Sequence, residues 1–226
     1  MKVVELHTSN GTRQAELFEP SGASQARLPG LIVVHEWWGL NDSMRGVCRR
    51  FAAEGFVVLA TDLYGGFKTT TDANEARQLA MEMKTMESMA IIEAGARHLK
   101  DQPGCNGRVG VTGFCLGGAM TLAAACHCPS ASAFVPFYGM PLAKHVDWSK
   151  TLGPIQGHYA EHDYVVDIKA VRAAAESVSE HGGSFELHVY DANHAFMRET
   201  DPKVYNPQAA AVAWPRALQF LRKSLS

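Results

Sequence analysis

The chain has 226 residues, enough for one sizeable domain with a substantial core, and a single domain over 1–226 is expected. Lysine and arginine number 21 against 23 aspartates and glutamates, and the net charge of −2 gives no electrostatic reason to expect nucleic acid as a partner. There is no run of roughly 18 apolar residues to span a membrane, MKVVELHTSNG lacks a signal-peptide core, and five cysteines do not make a secreted disulfide framework, so a cytoplasmic protein with no membrane partner is expected.

In chain order, VVEL at 3–6 and QAELFEP at 14–20 flank Ser9, Asn10 and Gly11 and predict a hairpin. LIVVH at 31–35 is a continuous apolar run of the kind buried on both faces of a parallel sheet. DSMRGVCRRFAAEG at 42–55 predicts a helix capped by Asp42 and stopped at Gly55. FVVLATD at 56–62 is a strand, followed by the loop YGGFKTTT and one long helical region from about Asp72 to Leu99. Within that region MEMKTMESM at 81–89 is expected to be an amphipathic helix with its methionines packed on the sheet.

RVGVTG at 108–113 predicts a strand and LGGAMTLAAA a helix leaving it. AFVPFYG at 133–139 and PIQGHYAEHD at 154–163 add two strands, then come a helix over Asp167–His181, a strand SFELHVY at 184–190 and a last helix from Pro207 to about Ser224. Such alternation predicts an α/β fold, a mostly parallel, doubly wound sheet with helices on both faces.

Ligands of open α/β sheets sit outside the carboxyl ends of the strands, which singles out His35, Glu36, Trp37 and Trp38, then Cys115, Asp163 and His194. Cys115 is the centre of VTGFCLGGA at 111–119, a G-x-C-x-G in which cysteine replaces the serine of the α/β-hydrolase nucleophile elbow. The order nucleophile, acid, histidine is also the α/β-hydrolase order.

With VVHEWWGLND at 33–42, GFCLGGA at 113–119, GHYAEHDYVV at 157–166 and ANHAFMRE at 192–199, the chain resembles the dienelactone hydrolase family, the cysteine branch of the α/β-hydrolase fold. The resemblance covers nearly the whole chain and implies a triad of Cys115, Asp163 and His194. It further implies that Glu36 pairs with the thiol in a resting state, until substrate binding displaces it and the thiolate turns to the histidine. It places a carboxylate-binding arginine at Arg198. A second family arginine has no clean counterpart, since Arg77 lies near the position but Asn74 aligns closer; a lactone or ester with a different acid group then fits as well.

The chemistry of these roles follows from the residue types. A thiol with a pKa near 8.5 is only about a few per cent ionised at neutral pH and needs a base or a positive field, here His194 and a helix N-terminus. Asp163 would fix the imidazole tautomer, and the amides of Leu116 and Trp37 would hold the oxyanion. A thiolate is also a good leaving group, so its adducts go forward only when the departing oxygen or sulfur is weakly basic. Enol lactones, activated esters and thioesters fit, and amides fit poorly.

The expected activity is therefore a hydrolase that opens a carboxylate-bearing lactone or cleaves an activated ester through an acyl-cysteine, with no cofactor or metal. A broad carboxylesterase or thioesterase, and a redox-responsive ligand-binding protein that uses Cys115 as a sensor, are the alternatives. Plainer roles stay open for single residues. Glu161 and Asp167 rival Asp163 as the acid, and Glu36 could cap the following helix. Arg198 could be a solvated charge, and Trp37, Trp38, Tyr138 and Phe196, candidates for the pocket wall, could be packing. The triplet Cys126-His127-Cys128 lacks the spacing and the second ligand pair of a zinc site, and Cys48 and Cys105 are given no role.

Overall fold

The computed structural model describes residues 1–22 and 27–226. The expected hairpin forms: β1 (Lys2–Thr8) turns at Ser9 and Asn10 into β2 (Gly11–Phe18), its antiparallel partner. β2 lies antiparallel to β4 (Val57–Thr61), and the remaining strands, β3 (Leu28–Val34), β5 (Cys105–Phe114), β6 (Ala133–Phe137), β7 (Ile155–Ala160) and β8 (Phe185–Tyr190), pair in parallel. Together they make one eight-stranded sheet in the order β1-β2-β4-β3-β5-β6-β7-β8, the doubly wound arrangement expected.

Side-chain alternation along β3 shows how both faces are covered. Leu31 and Val33 pack into a cluster with α1 (Asp42–Ala53) and α6 (Pro207–Ser224). Ile32 and Val34 pack on the other face with α3 (Thr85–Lys100), α4 (Leu116–His127) and α5 (Ile168–Glu180). From β3 the chain steps to β4 on one side and then crosses back to β5 on the other. The carboxyl ends of β3 and β5 therefore border the crevice of a topological switch point, where such sheets bind ligands.

Two local expectations are corrected. Asn41, not Asp42, caps α1, its side chain accepting from the Met44 amide at 3.1 Å, and Asp42 sits in the first turn, where a negative charge also favours the helix dipole. The region from Asp72 to Leu99 is two helices, α2 (Ala73–Glu82) and α3, with Met83 and Lys84 extended between them. α2 buries only Ala76 whereas α3 buries a full face from Ser88 to Leu99, so the break lets α3 lie on the sheet while α2 stays at the surface. The methionines accordingly do not share a face: Met89 is buried, but Met81 is 79% and Met86 54% exposed. Among the described residues, no helix is long and apolar enough to cross a membrane.

Candidate active site

Cys115 joins β5 to α4 with φ 54° and ψ −114°, a left-handed conformation that costs a non-glycine residue about 1–3 kcal/mol and persists only where its surroundings enforce it. The flanking glycines make that enforcement possible. A methyl group on Gly113 would run into the carbonyl of Gly117, and one on Gly117 into the carbonyl of Val34 at the end of β3. The helix thus starts hard against the crevice, with its partial positive end beneath the thiol.

His194, in the loop after β8, brings Nε2 to 3.1 Å from Cys115 Sγ. Its Nδ1 lies 2.8 and 3.0 Å from the two carboxylate oxygens of Asp163. Burial opposes a charge on His194, but hydrogen bonds with Asp163 and Cys115 and their negative charge outweigh it and lift its pKa to about 9. Burial likewise opposes a charge on Asp163, yet the bonds from His194 and from the amides of Val165 and Val166, at 2.8 and 2.9 Å, hold its carboxyl below the usual range. The rival acids are occupied elsewhere: Glu161 faces Arg172 at the surface, and Asp167 caps α5.

Glu36 is not paired with the thiol. One carboxylate oxygen, Oε2, takes Nε and Nη2 of Arg198, each at 2.8 Å, while Oε1 is buried with no partner among the described residues. Burial disfavours the charge on Arg198, but the carboxylate of Glu36 more than compensates and keeps the guanidinium charged. Glu36 does not cap α1 either, because Asn41 does. Arg198 is mostly buried and ion-paired rather than a solvated charge.

The thiol and His194 open on a cavity of about 390 Å³ whose wall includes Trp37, Trp38, Tyr164, Val165 and Arg198. Among the described residues, the amides of Leu116 and Trp37 donate to no protein oxygen. Phe196 is corrected from wall to packing: it is fully buried between Tyr138 and Tyr190. Tyr138 packs edge-on against His194 and borders a second cavity of about 310 Å³ that Glu36 also lines, not the one at the thiol. Its phenol is pushed well above its ordinary pKa by burial and by Glu36. Arg77 and Asn74 lie exposed on α2, while the nearby Ala73 reaches the cavity.

Tyr164 and Val165 line the cavity without having been singled out from the sequence, although their place directly after the acid was a usable signal. The other cysteines serve packing. Burial pushes the thiols of Cys48 and Cys128 far up, Cys105 is buried, and around Cys126 the triplet points to separate partners, His127 to the carbonyl of His145 and Cys128 to that of Met89.

Residues 14–225 match the model of the dienelactone hydrolase family. The protein usf of Aquifex pyrophilus is 36% identical over 210 residues, 88% of this chain and 89% of that protein. A carboxymethylenebutenolidase of Pseudomonas sp. strain P51 is 31% identical over 209 residues, 88% of this chain and 87% of the relative. A crystal structure from Klebsiella pneumoniae subsp. pneumoniae, provisionally described as a dienelactone hydrolase, superposes with a TM-score of 0.86 at 25% identity and covers 98% of both chains.

Proposed function

The chain belongs to the dienelactone hydrolase family, whose hydrolases act on small lactones or esters, and on that premise we propose that it opens an enol lactone through an acyl-thioester on Cys115. The observation that carries this reading is the unbroken chain from Asp163 through His194 to Cys115 Sγ, with separations of 2.8 and 3.1 Å, at the base of an open cavity.

In the attacking state Cys115 is the thiolate and the proton sits on His194, whose pKa is lifted to about 9. Sγ attacks the lactone carbonyl, and the amides of Leu116 and Trp37 receive the oxyanion. Collapse breaks the ring C–O bond, and the departing enolate takes the His194 proton, which leaves the imidazole neutral. The neutral imidazole then removes a proton from water, whose oxygen attacks the thioester. Collapse of the second adduct expels the thiolate, and the carboxylic acid product releases its proton. Once the thiolate is acylated, its share in raising the pKa of His194 is gone, which makes the imidazole a working base for this step.

Arg198 at the cavity wall supports a substrate that carries its own carboxylate, because a guanidinium held by one oxygen of Glu36 still has donors to offer. The thiol facing His194, with Glu36 held away by Arg198, corresponds to the attack-ready side of the switch implied for Glu36. Steady-state turnover of cis- and trans-dienelactone and of p-nitrophenyl acetate by the native protein and Cys115→Ala tests the reading. Sustained native turnover that vanishes in the variant is expected. A single burst followed by arrest would instead favour a reactive sensor thiol, and undiminished turnover by the variant would overturn the cysteine mechanism.

A further inference from the structure

His35 is fully buried at the end of β3 and takes no part in the proton transfers above. Its surroundings fix its tautomer. Nε2 lies 3.1 Å from the amide nitrogen of Leu63, which can only donate, so Nε2 is the bare acceptor. The proton is therefore on Nδ1, 2.7 Å from the carbonyl oxygen of Glu36, which can only accept. Burial lowers the pKa of His35, in keeping with a neutral ring donating on one side and accepting on the other.

The peptide that His35 grips is the one that carries the Trp37 amide. A trans peptide is planar, with its C=O and N–H pointing in opposite directions, so anchoring the carbonyl aims the N–H. The Glu36 carbonyl is held by two donors, His35 Nδ1–H and, at 3.1 Å, the amide of Gly39. The next peptide is held as well, because the hydroxyl of Tyr64, whose ring packs 4.9 Å from that of His35, donates to the Trp37 carbonyl at 2.9 Å. Between these holds the Trp37 amide is left without a protein acceptor, beside the cavity that its own side chain lines.

We propose that His35, assisted by Tyr64, is the positioning residue of the oxyanion site, a neutral imidazole that aims the Trp37 amide by holding the Glu36 carbonyl from behind. This rests on Cys115 as the nucleophile. The role differs from that of His194: His35 touches no reacting atom, transfers no proton, and acts only on reactions that develop an oxyanion.

Its test compares His35→Leu with His35→Asn, two near-isosteric side chains that both lose the acceptor for Leu63. Only asparagine keeps a donor at the place of Nδ1. Two readouts separate positioning from general damage: the dissociation constant of an aryl trifluoromethyl ketone, whose Cys115 adduct places an oxyanion in the site, and the rate of Cys115 alkylation by iodoacetamide, which forms none. His35→Leu is expected to bind the ketone roughly 10²-fold more weakly, the scale of losing one oxyanion donor, while His35→Asn stays within about tenfold of the native protein and alkylation is the same in all three.

Equal ketone binding by the leucine and asparagine variants, or alkylation falling in step with ketone binding, would overturn the proposal. If His35→Leu does not fold, Tyr64→Phe provides the same comparison: about tenfold weaker ketone binding at unchanged alkylation is expected, and no loss overturns it. The ketone measurement needs no turnover. A native protein that forms the adduct but hydrolyses no ester or lactone would count against the proposed function and leave the positioning result standing.

Discussion

Replacing Asp163 by asparagine separates the charge of the acid from its place in the fold. The carboxylate accepts from the amides of Val165 and Val166 at 2.8 and 2.9 Å, so an asparagine oxygen can keep those bonds and turn its NH2 group towards His194. Nδ1 of the imidazole must then accept, which moves the proton to Nε2, the atom 3.1 Å from Sγ that the mechanism needs bare during deacylation. The rise of His194 to about 9 from 6.5 is worth on the order of 3 kcal/mol in favour of the imidazolium, shared between Asp163 and Cys115.

Losing the carboxylate's share together with the tautomer is expected to lower kcat/KM by roughly 10³- to 10⁴-fold, the loss this change brings to serine triads. The sign of the pH effect follows from the raised pKa: the imidazolium is present below about 9 and lost above it. For an ester whose leaving group needs a proton, kcat/KM should fall as pH passes about 9 in the native protein, and in Asp163→Asn that fall should move down towards the ordinary histidine range near 6.5. Rates from pH 5 to 10, with thermal melts to confirm folding, supply both numbers. A loss of less than tenfold, or an alkaline limb that does not move, would refute the role of Asp163.

Glu36→Gln removes the charge that the implied switch would bring to the thiol, and the pH profile of Cys115 alkylation should change with it; an unchanged profile would remove Glu36 from the thiol's chemistry. Arg198→Gln should raise KM for a carboxylate-bearing dienelactone by roughly 10- to 100-fold, the worth of a charged hydrogen bond, and leave p-nitrophenyl acetate almost unaffected; equal effects on both substrates would argue against a carboxylate site. Gly117→Ala should destabilise the fold by about 3 kcal/mol or more in chemical denaturation, since the obstacle is the backbone of Val34 and His35. Gly46→Ala, a helical position with nothing within 4 Å of the added methyl, should instead gain about 0.5–1 kcal/mol.

Cys115, Asp163 and His194 were legible because each follows a strand recognisable from its own apolar run, and the ends of parallel strands converge. The pairing of Glu36 with Arg198 was not: the two stand 162 positions apart, and either could have been solvated. The break at Met83 and Lys84 carries no glycine or proline, and it arises from which helix finds sheet to cover, a tertiary effect that local periodicity does not record. Phe196 looked like cavity wall because it follows His194, but the positive φ of Ala195, 63°, accompanies a turn after which the ring lies between Tyr138 and Tyr190. The grip of His35 was hidden for a different reason, since its partners are backbone groups of Glu36 and Leu63 that no residue type announces.

The acyl-thioester is the central claim, and trapping it is the most direct measurement. Native protein and His194→Ala are mixed with p-nitrophenyl acetate, quenched within the first turnover and mapped by peptide mass spectrometry. An acetyl group on Cys115, transient in the native protein and persistent in the variant that lacks its base, is the expected result. Turnover with no acyl group on Cys115, or with the acyl group on another residue, would contradict the account.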